Sequence, residues 1–271
     1  MDLIYLLKII VLSIVEGITE FLPISSTGHM IIFSDLMNME STPFLNLFMI
    51  VIQVGAIMAV VVLYRKKLMN TLKIENLKPG KVGFNFWTKI AVGIIPAGIV
   101  GVLADDFIEY HFMNSFTVAL ALVGGAIMMI IFENKFRKNS RVTDVDDITY
   151  KQAFIVGTFQ ILAIIFPGFS RSAASIMGGW AMRFNTVVAA EFSFFLAIPT
   201  MILGSTWKLL RFNYELSSYD IFYIIIGLVI SFAVAYVVIE KFISYLQKKP
   251  MRIFAVYRII IGFVLLTIYF L

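Results

Sequence analysis

Apolar runs recur along the chain at about the twenty-residue length that an α-helix needs to cross the ~30 Å hydrocarbon core of a bilayer. Six read as full spans: Phe44–Tyr64, Phe86–Ala104, Phe116–Glu133, Val188–Leu209, Ile221–Glu240 and Ile253–Leu271. Two further segments, Leu3–Phe33 and Gln152–Arg183, are apolar but broken in the middle by proline and polar residues. Each is too interrupted for one span and too short for two. A re-entrant helical hairpin is expected for each, because non-helical backbone at membrane depth survives only where it lines a cavity or is buried in protein.

The loops orient these spans. Arg65 to Lys81 carries six basic residues against the single acid Glu75, and Lys241 to Arg252 carries four and no acid. Asn134 to Lys151 is mixed, whereas Asp105 to His111 holds Asp105, Asp106 and Glu109 and no lysine or arginine. The positive-inside rule places the three basic loops in the cytoplasm and the acidic one outside. Both termini then lie outside, and the two hairpins enter from opposite surfaces. Three spans follow each hairpin, and an odd number inverts the second half. The expectation is a single integral domain, an all-α polytopic membrane protein of two inverted-topology repeats, 1–140 and 150–271, with re-entrant hairpins at 3–33 and 152–183. A shift of about 144 positions, anchored on Pro23 and Pro167, pairs Glu16 with Gln160, Ser26 with Ser170 and Phe48 with Phe192.

Composition agrees with the pattern. The 271 residues are 60% hydrophobic and 14% charged, well below the ~25% charged share of soluble domains. The runs are too long and too evenly apolar for barrel strands. The first apolar run lacks a basic leader and is not expected to be a cleaved signal. The net charge of +5 sets orientation and is no nucleic-acid footprint. Without cysteine, disulfides and thiolate metal sites are excluded.

Two polar islands interrupt the apolar pattern: Glu16 to His29, and Phe166 to Ser175. A charge at the bilayer centre costs ~2.5–3.5 kcal/mol on insertion scales, so such groups are functional candidates. Glu16 and Glu20 are four apart and share a helix face. Such a pair can hold a divalent cation through oxygen, or one carboxylate can accept a proton while the other binds metal. Pro23 is expected to end that helix. Ser25, Ser26 and Thr27 precede Gly28 and a second helix expected near His29, where hydroxyls and free amides offer an anion site. His29 suits nucleophilic or acid–base work. In the second island Arg171, flanked by Ser170 and Ser172, presents a planar fork of donors that matches a phosphate. Ser175 lies one turn on, on the same face. Gln53, Gln160 and Glu191 could line the cavity, or simply bond between helices. His111 with the acids of 105–109 reads as an exposed acidic loop rather than a metal site. Carboxylates with a metal, hydroxyls and an arginine suit phosphoryl transfer, and an intramembrane phosphate implies a lipid phosphate.

Glu16-Gly-Ile-Thr-Glu-Phe-Leu-Pro-Ile-Ser-Ser-Thr-Gly-His29 and Pro167-Gly-Phe-Ser-Arg-Ser172 resemble the two signature motifs of the undecaprenyl-diphosphatases, the bacitracin-resistance type. The resemblance covers the whole chain. The second motif departs slightly: Ala173-Ala174-Ser175 stands where the family usually has Gly-Ala-Thr. What the resemblance implies is an enzyme of the bacterial inner membrane that removes the terminal phosphate of undecaprenyl diphosphate. It would recycle the carrier lipid for peptidoglycan synthesis, confer bacitracin resistance, and open its site to the extracytoplasmic side. The family needs a divalent cation, Mg2+ or Ca2+. On these motifs Arg171, Ser170 and Ser172 would clamp the diphosphate and Glu16 and Glu20 would hold the cation, with Glu20 also a base. Either His29 or Ser26 would attack, or His29 would activate the attacking group. Type-2 phosphatidic acid phosphatases share a Ser-x-Gly-His element, but here no histidine follows His111. The partners expected are a polyprenyl diphosphate and the bilayer; a homodimer stays open. The rival from another class is a transporter or flippase of polyprenyl phosphates, common among inverted repeats.

Overall fold

The computed structural model describes residues 2–112 and 114–270, without side chains at 105, 106, 109, 115 and 268. Its first half runs α1 (Leu3–Thr19), α2 (Ser26–Leu36), α3 (Pro43–Leu63), the short α4 (Arg65–Thr71), α5 (Val82–Phe112) and α6 (Ser115–Phe136). The second half runs α7 (Tyr150–Ile165), α8 (Arg171–Ala181), α9 (Thr186–Leu210), α10 (Ser218–Leu246) and α11 (Arg252–Phe270). Five helices carry stretches long and apolar enough to cross a membrane: Pro43–Leu63, Val82–Ala104, Phe116–Asn139, Thr186–Leu210 and Ser218–Leu246. The protein is therefore a multi-pass helical membrane protein. The sixth expected span, α11, is a 19-residue helix with Arg258 near its middle.

Each interrupted segment is a pair of helices joined by a short turn: α1 and α2 around residues 20–25, α7 and α8 around residues 166–170. Apart from α4, the order of elements in the first half recurs in the second. So do its backbone irregularities. Ser25 and Ser170 have φ of +72° and +76°, and each caps the helix that follows with its own hydroxyl. Asn38 and Arg183, just past the ends of α2 and α8, have φ of +51° and +65°. Both pairs lie 145 positions apart. The offset of 144 read from the prolines is thus one short within α2 and α8, and Ser25, not Ser26, is the counterpart of Ser170. The two turns differ in length, so no single offset carries across them.

Packing repeats in the same way. α1 lies against α10, and α7 against α5. Gly17 sits where a Cβ would come within 2.8 Å of the Ser231 carbonyl oxygen, and Gly157 is pressed on the Gly93 backbone. Small residues at such crossings let helices approach closely where lipid offers no hydrophobic drive. α3 packs on α9, and α6 on α11. The core between these layers is rich in phenylalanine: Phe21, Phe192, Phe194 and Phe195 are fully buried, and Phe21 meets Phe194 edge-on at 5.1 Å.

The loops expected in the cytoplasm gather at one end. Lys67 pairs with Asp146 at 3.0 Å, and the amides of Arg141 and Val142 donate to the Arg183 carbonyl. Glu133, at the end of α6, accepts the Met251 amide at 2.6 Å. Two expectations change. α5 does not stop at Ala104 but continues through Phe112, so Asp105 to His111 is helix, not loop; the side chains of Asp105, Asp106 and Glu109 lie outside the described residues. α1 ends at Thr19, before Pro23, and α2 begins at Ser26 rather than near His29.

Candidate active site

The two turns meet. Ser172 Oγ, in the first turn of α8, donates to the Leu22 carbonyl at 2.9 Å. Arg171 Nη2 donates to Glu20 Oε1 at 2.9 Å, and its Nη1 reaches the Ser193 carbonyl at 3.1 Å. Ser26 Oγ donates to Glu20 Oε2. One carboxylate thus joins an arginine from the second hairpin to a hydroxyl from the first. Glu20 is 8% exposed and Ser26 also 8%, so all this takes place in a dry setting where charge–charge attraction is strong.

Local sequence explains the placement. The first four amides of a helix have no partner inside it. Ser25 Oγ accepts from the Gly28 amide at 3.2 Å and Ser170 Oγ from the Ala173 amide at 3.3 Å. Each cap satisfies one of these donors. Positive φ at a non-glycine residue costs ~1–3 kcal/mol and gathers at functional sites. At Gly168, with φ of +97°, a Cβ would stand 2.6 Å from the Val118 carbonyl oxygen. Glycine is required there to let the second turn lie against α6.

Glu16 is fully buried, and neither carboxylate oxygen has a hydrogen-bond partner. It lies one turn before Glu20, within electrostatic reach of both Glu20 and Arg171. A buried carboxylate without donors needs a proton or a cation to neutralise it. Among the described residues no group of three or more His, Asp or Glu side chains is placed to hold a metal. Hard cations such as Mg2+ are commonly held by one or two carboxylates together with water and substrate phosphates. Glu16 and Glu20 fit that pattern.

Most of the other expected site residues have partners of their own. His29 Nδ1 bonds the Ser25 carbonyl at 2.7 Å, and Nε2 bonds the Tyr257 hydroxyl at 2.8 Å. A carbonyl can only accept, so Nδ1 carries the proton. In the neutral ring Nε2 then accepts from Tyr257. Both ring nitrogens are thus engaged, by Ser25 and Tyr257, and neither bonds Glu20 or Arg171. Ser175 Oγ is turned to Ser193 Oγ at 2.7 Å and to the Arg171 carbonyl, so it braces α8 against α9. Ser170 and Ser172 hydroxyls bond each other at 3.1 Å. Thr27 sits half-buried in the first turn of α2. Gln160 donates to the Gly93 carbonyl and Glu191 accepts from Tyr64; both are interhelical ties, not lining of the site. An apolar groove of about 380 Å³ opens beside the first turn, walled by Val15, Ile18, Leu22, Ile24, Phe33 and Phe254, with His29 and Tyr257 at its polar edge.

Arg258 escaped the reading of the chain. It is 0% exposed and donates to the carbonyls of Pro23, Ala121, Gly168 and Phe169. An ionisable residue midway along an apolar helix was its signal.

A membrane-embedded helical protein whose two broken hairpins bring carboxylates, hydroxyls and an arginine together between them is the class that fold and centre define. The chain belongs to the family of bacitracin resistance protein BacA, whose model matches residues 9–264. It is 51% identical over 263 residues to an undecaprenyl-diphosphatase of Clostridium tetani, covering 97% of this chain and 96% of that one. An undecaprenyl-diphosphatase of Clostridium perfringens strain SM101 is 43% identical over 297 residues, with 99% and 97% covered. Undecaprenyl-diphosphatase 2 of Clostridioides difficile strain 630 is 45% identical over 279 residues, with 100% and 97% covered.

Proposed function

We propose that the protein hydrolyses undecaprenyl diphosphate to undecaprenyl phosphate and inorganic phosphate. It would act in the bacterial cytoplasmic membrane from the extracytoplasmic side, recycling the cell-wall carrier lipid and conferring bacitracin resistance. Membership of the family and the names of its relatives support the reaction. The observation that carries the mechanism is Glu20, with Ser26 on one carboxylate oxygen and Arg171 on the other.

Arg171, with Ser170, Ser172, Ser25, Thr27 and the free amides of α2 and α8, receives the diphosphate at two facing helix starts. Ser26 Oγ attacks the terminal phosphorus. A bond forms from Oγ to phosphorus, the anhydride P–O bond breaks, and undecaprenyl phosphate leaves. The hydroxyl proton passes to Glu20, which already accepts its hydrogen bond. The departing undecaprenyl phosphate carries that proton off from Glu20. Water then attacks the phosphoserine, Glu20 takes the water's proton and returns it to Ser26 Oγ as the phosphorus–Oγ bond breaks and inorganic phosphate leaves. Glu16 and Glu20 would hold Mg2+ or Ca2+, which when bound neutralises phosphate charge. The apolar groove beside the first turn suits the first isoprene units of the lipid.

The test is phosphate release by detergent-solubilised protein given undecaprenyl diphosphate and Mg2+. Release is expected from wild type, to stop with EDTA, and to return with added Mg2+ or Ca2+. Glu20→Gln should lower kcat by ~10²–10⁴, the range for a lost general base. No release by folded wild-type protein in the presence of cation refutes the reading and favours a lipid transporter instead.

A further inference from the structure

We propose that Arg258 is a positioning residue that pins the two hairpin turns against each other and so fixes the register of the site, without itself meeting the substrate. Three observations carry this. First, its guanidinium reaches both turns: Nη1 donates to Pro23 of the first at 3.2 Å, and Nη2 to Phe169 of the second at 2.7 Å and to Gly168 at 3.4 Å. Second, it has no carboxylate partner among the described residues, and its Nε is buried without a hydrogen-bond acceptor. Its side-chain hydrogen bonds all go to backbone, three of the four to the turns and the fourth to Ala121 at 3.3 Å. A planar fork with several donors suits a tie between carbonyls that come from different directions. Third, α6 makes room for it. A Cβ at Gly125 would collide with the Arg258 guanidinium.

The tied carbonyls sit beside the functional groups. Pro23 lies between Glu20 and Ser26, and Phe169 is two residues before Arg171. Only two other polar contacts described here cross between the turns: Glu20 with Arg171, and Leu22 with Ser172. Both involve groups that the substrate would engage. Arg258 is fully buried and keeps the turns in place while those contacts rearrange.

The inference rests on the phosphatase reading for its consequence on turnover, but not for its structural core. Arg258→Met, Arg258→Lys and Gly125→Ala are compared with wild type by hydrogen exchange in detergent and by steady-state kinetics. Gly125→Ala keeps the arginine and displaces its head, with the Phe169 ring the next group met, at 3.3 Å. Expected is faster exchange in peptides covering residues 20–26 and 166–172, with α3 and α9 unchanged. In the same variants kcat should fall by about 100-fold in Arg258→Met, the scale of an ångström-level misplacement, with KM nearly constant. Arg258→Lys should recover part of that loss. Exchange that is unchanged at both turns, or faster throughout the protein, overturns the proposal, as does unaltered kcat in Arg258→Met. If Arg258→Met does not fold, exchange in Gly125→Ala decides. If wild type releases no phosphate, the phosphatase reading fails, while the exchange experiment still decides the role of Arg258.

Discussion

Glu20 serves two neighbours at once, and that division assigns the roles of the residues around it. Ser26 has a proton acceptor in place; His29 has none of its ring nitrogens free. His29→Gln is therefore expected to keep measurable turnover and still form a phosphoenzyme, whereas Ser26→Ala should form none; acid-stable radiolabel on the quenched protein checks both. The polar residues that stand out in the chain were legible because charge inside an apolar run is expensive. Glu16, Glu20 and Arg171 all stand out in this way, and Glu20 and Arg171 meet. What the chain does not display is direction. Ser175 and His29 lie at the right helical spacing, yet their side chains point to α9 and α11. Partners such as Ser193 and Tyr257 come from helices 18 and 228 positions away and cannot be paired by spacing alone.

Among the elements, both hairpins depend on turns that strain the backbone at a serine, and the second also needs a glycine at positive φ. Gly168→Ala must place a side chain at φ +97° and 2.6 Å from the Val118 carbonyl oxygen. It should lower the thermal midpoint in detergent and reduce turnover more than Gly98→Ala, where a Cβ meets nothing within 4 Å. The turns were readable because proline and clustered hydroxyls break an apolar helix. The end of α5 was not. Acidic residues at 105–109 signal water, but a helix does not have to stop at the bilayer surface, and nothing in that stretch supplies a glycine or proline stop. The break comes only where Asn114 caps the next helix.

For the molecule as a whole, the inversion expected of the two halves makes a claim about sidedness. Glu40, two residues past Asn38, and Arg183, the counterpart of Asn38, are exposed just beyond α2 and α8. Because the chain holds no cysteine, single cysteines at these sites can be labelled without background. In intact cells an impermeant maleimide should modify Glu40→Cys and spare Arg183→Cys until the membrane is opened; equal labelling of both would refute the inversion. The recurrence of elements was visible as a faint offset in the chain. The offset of 145 within α2 and α8 emerged only from the paired serine caps and positive-φ residues, because apolar side chains substitute for one another too freely to mark a register.

The resting guanidinium of Arg171 is already neutralised by Glu20. Any incoming anion must displace a tethered rival whose local concentration is high. Orthophosphate, with one phosphoryl group and no hydrocarbon anchor, competes poorly on those terms. The enzyme is therefore expected to tolerate its own inorganic product, with half-inhibition by free phosphate falling far above the lipid KM.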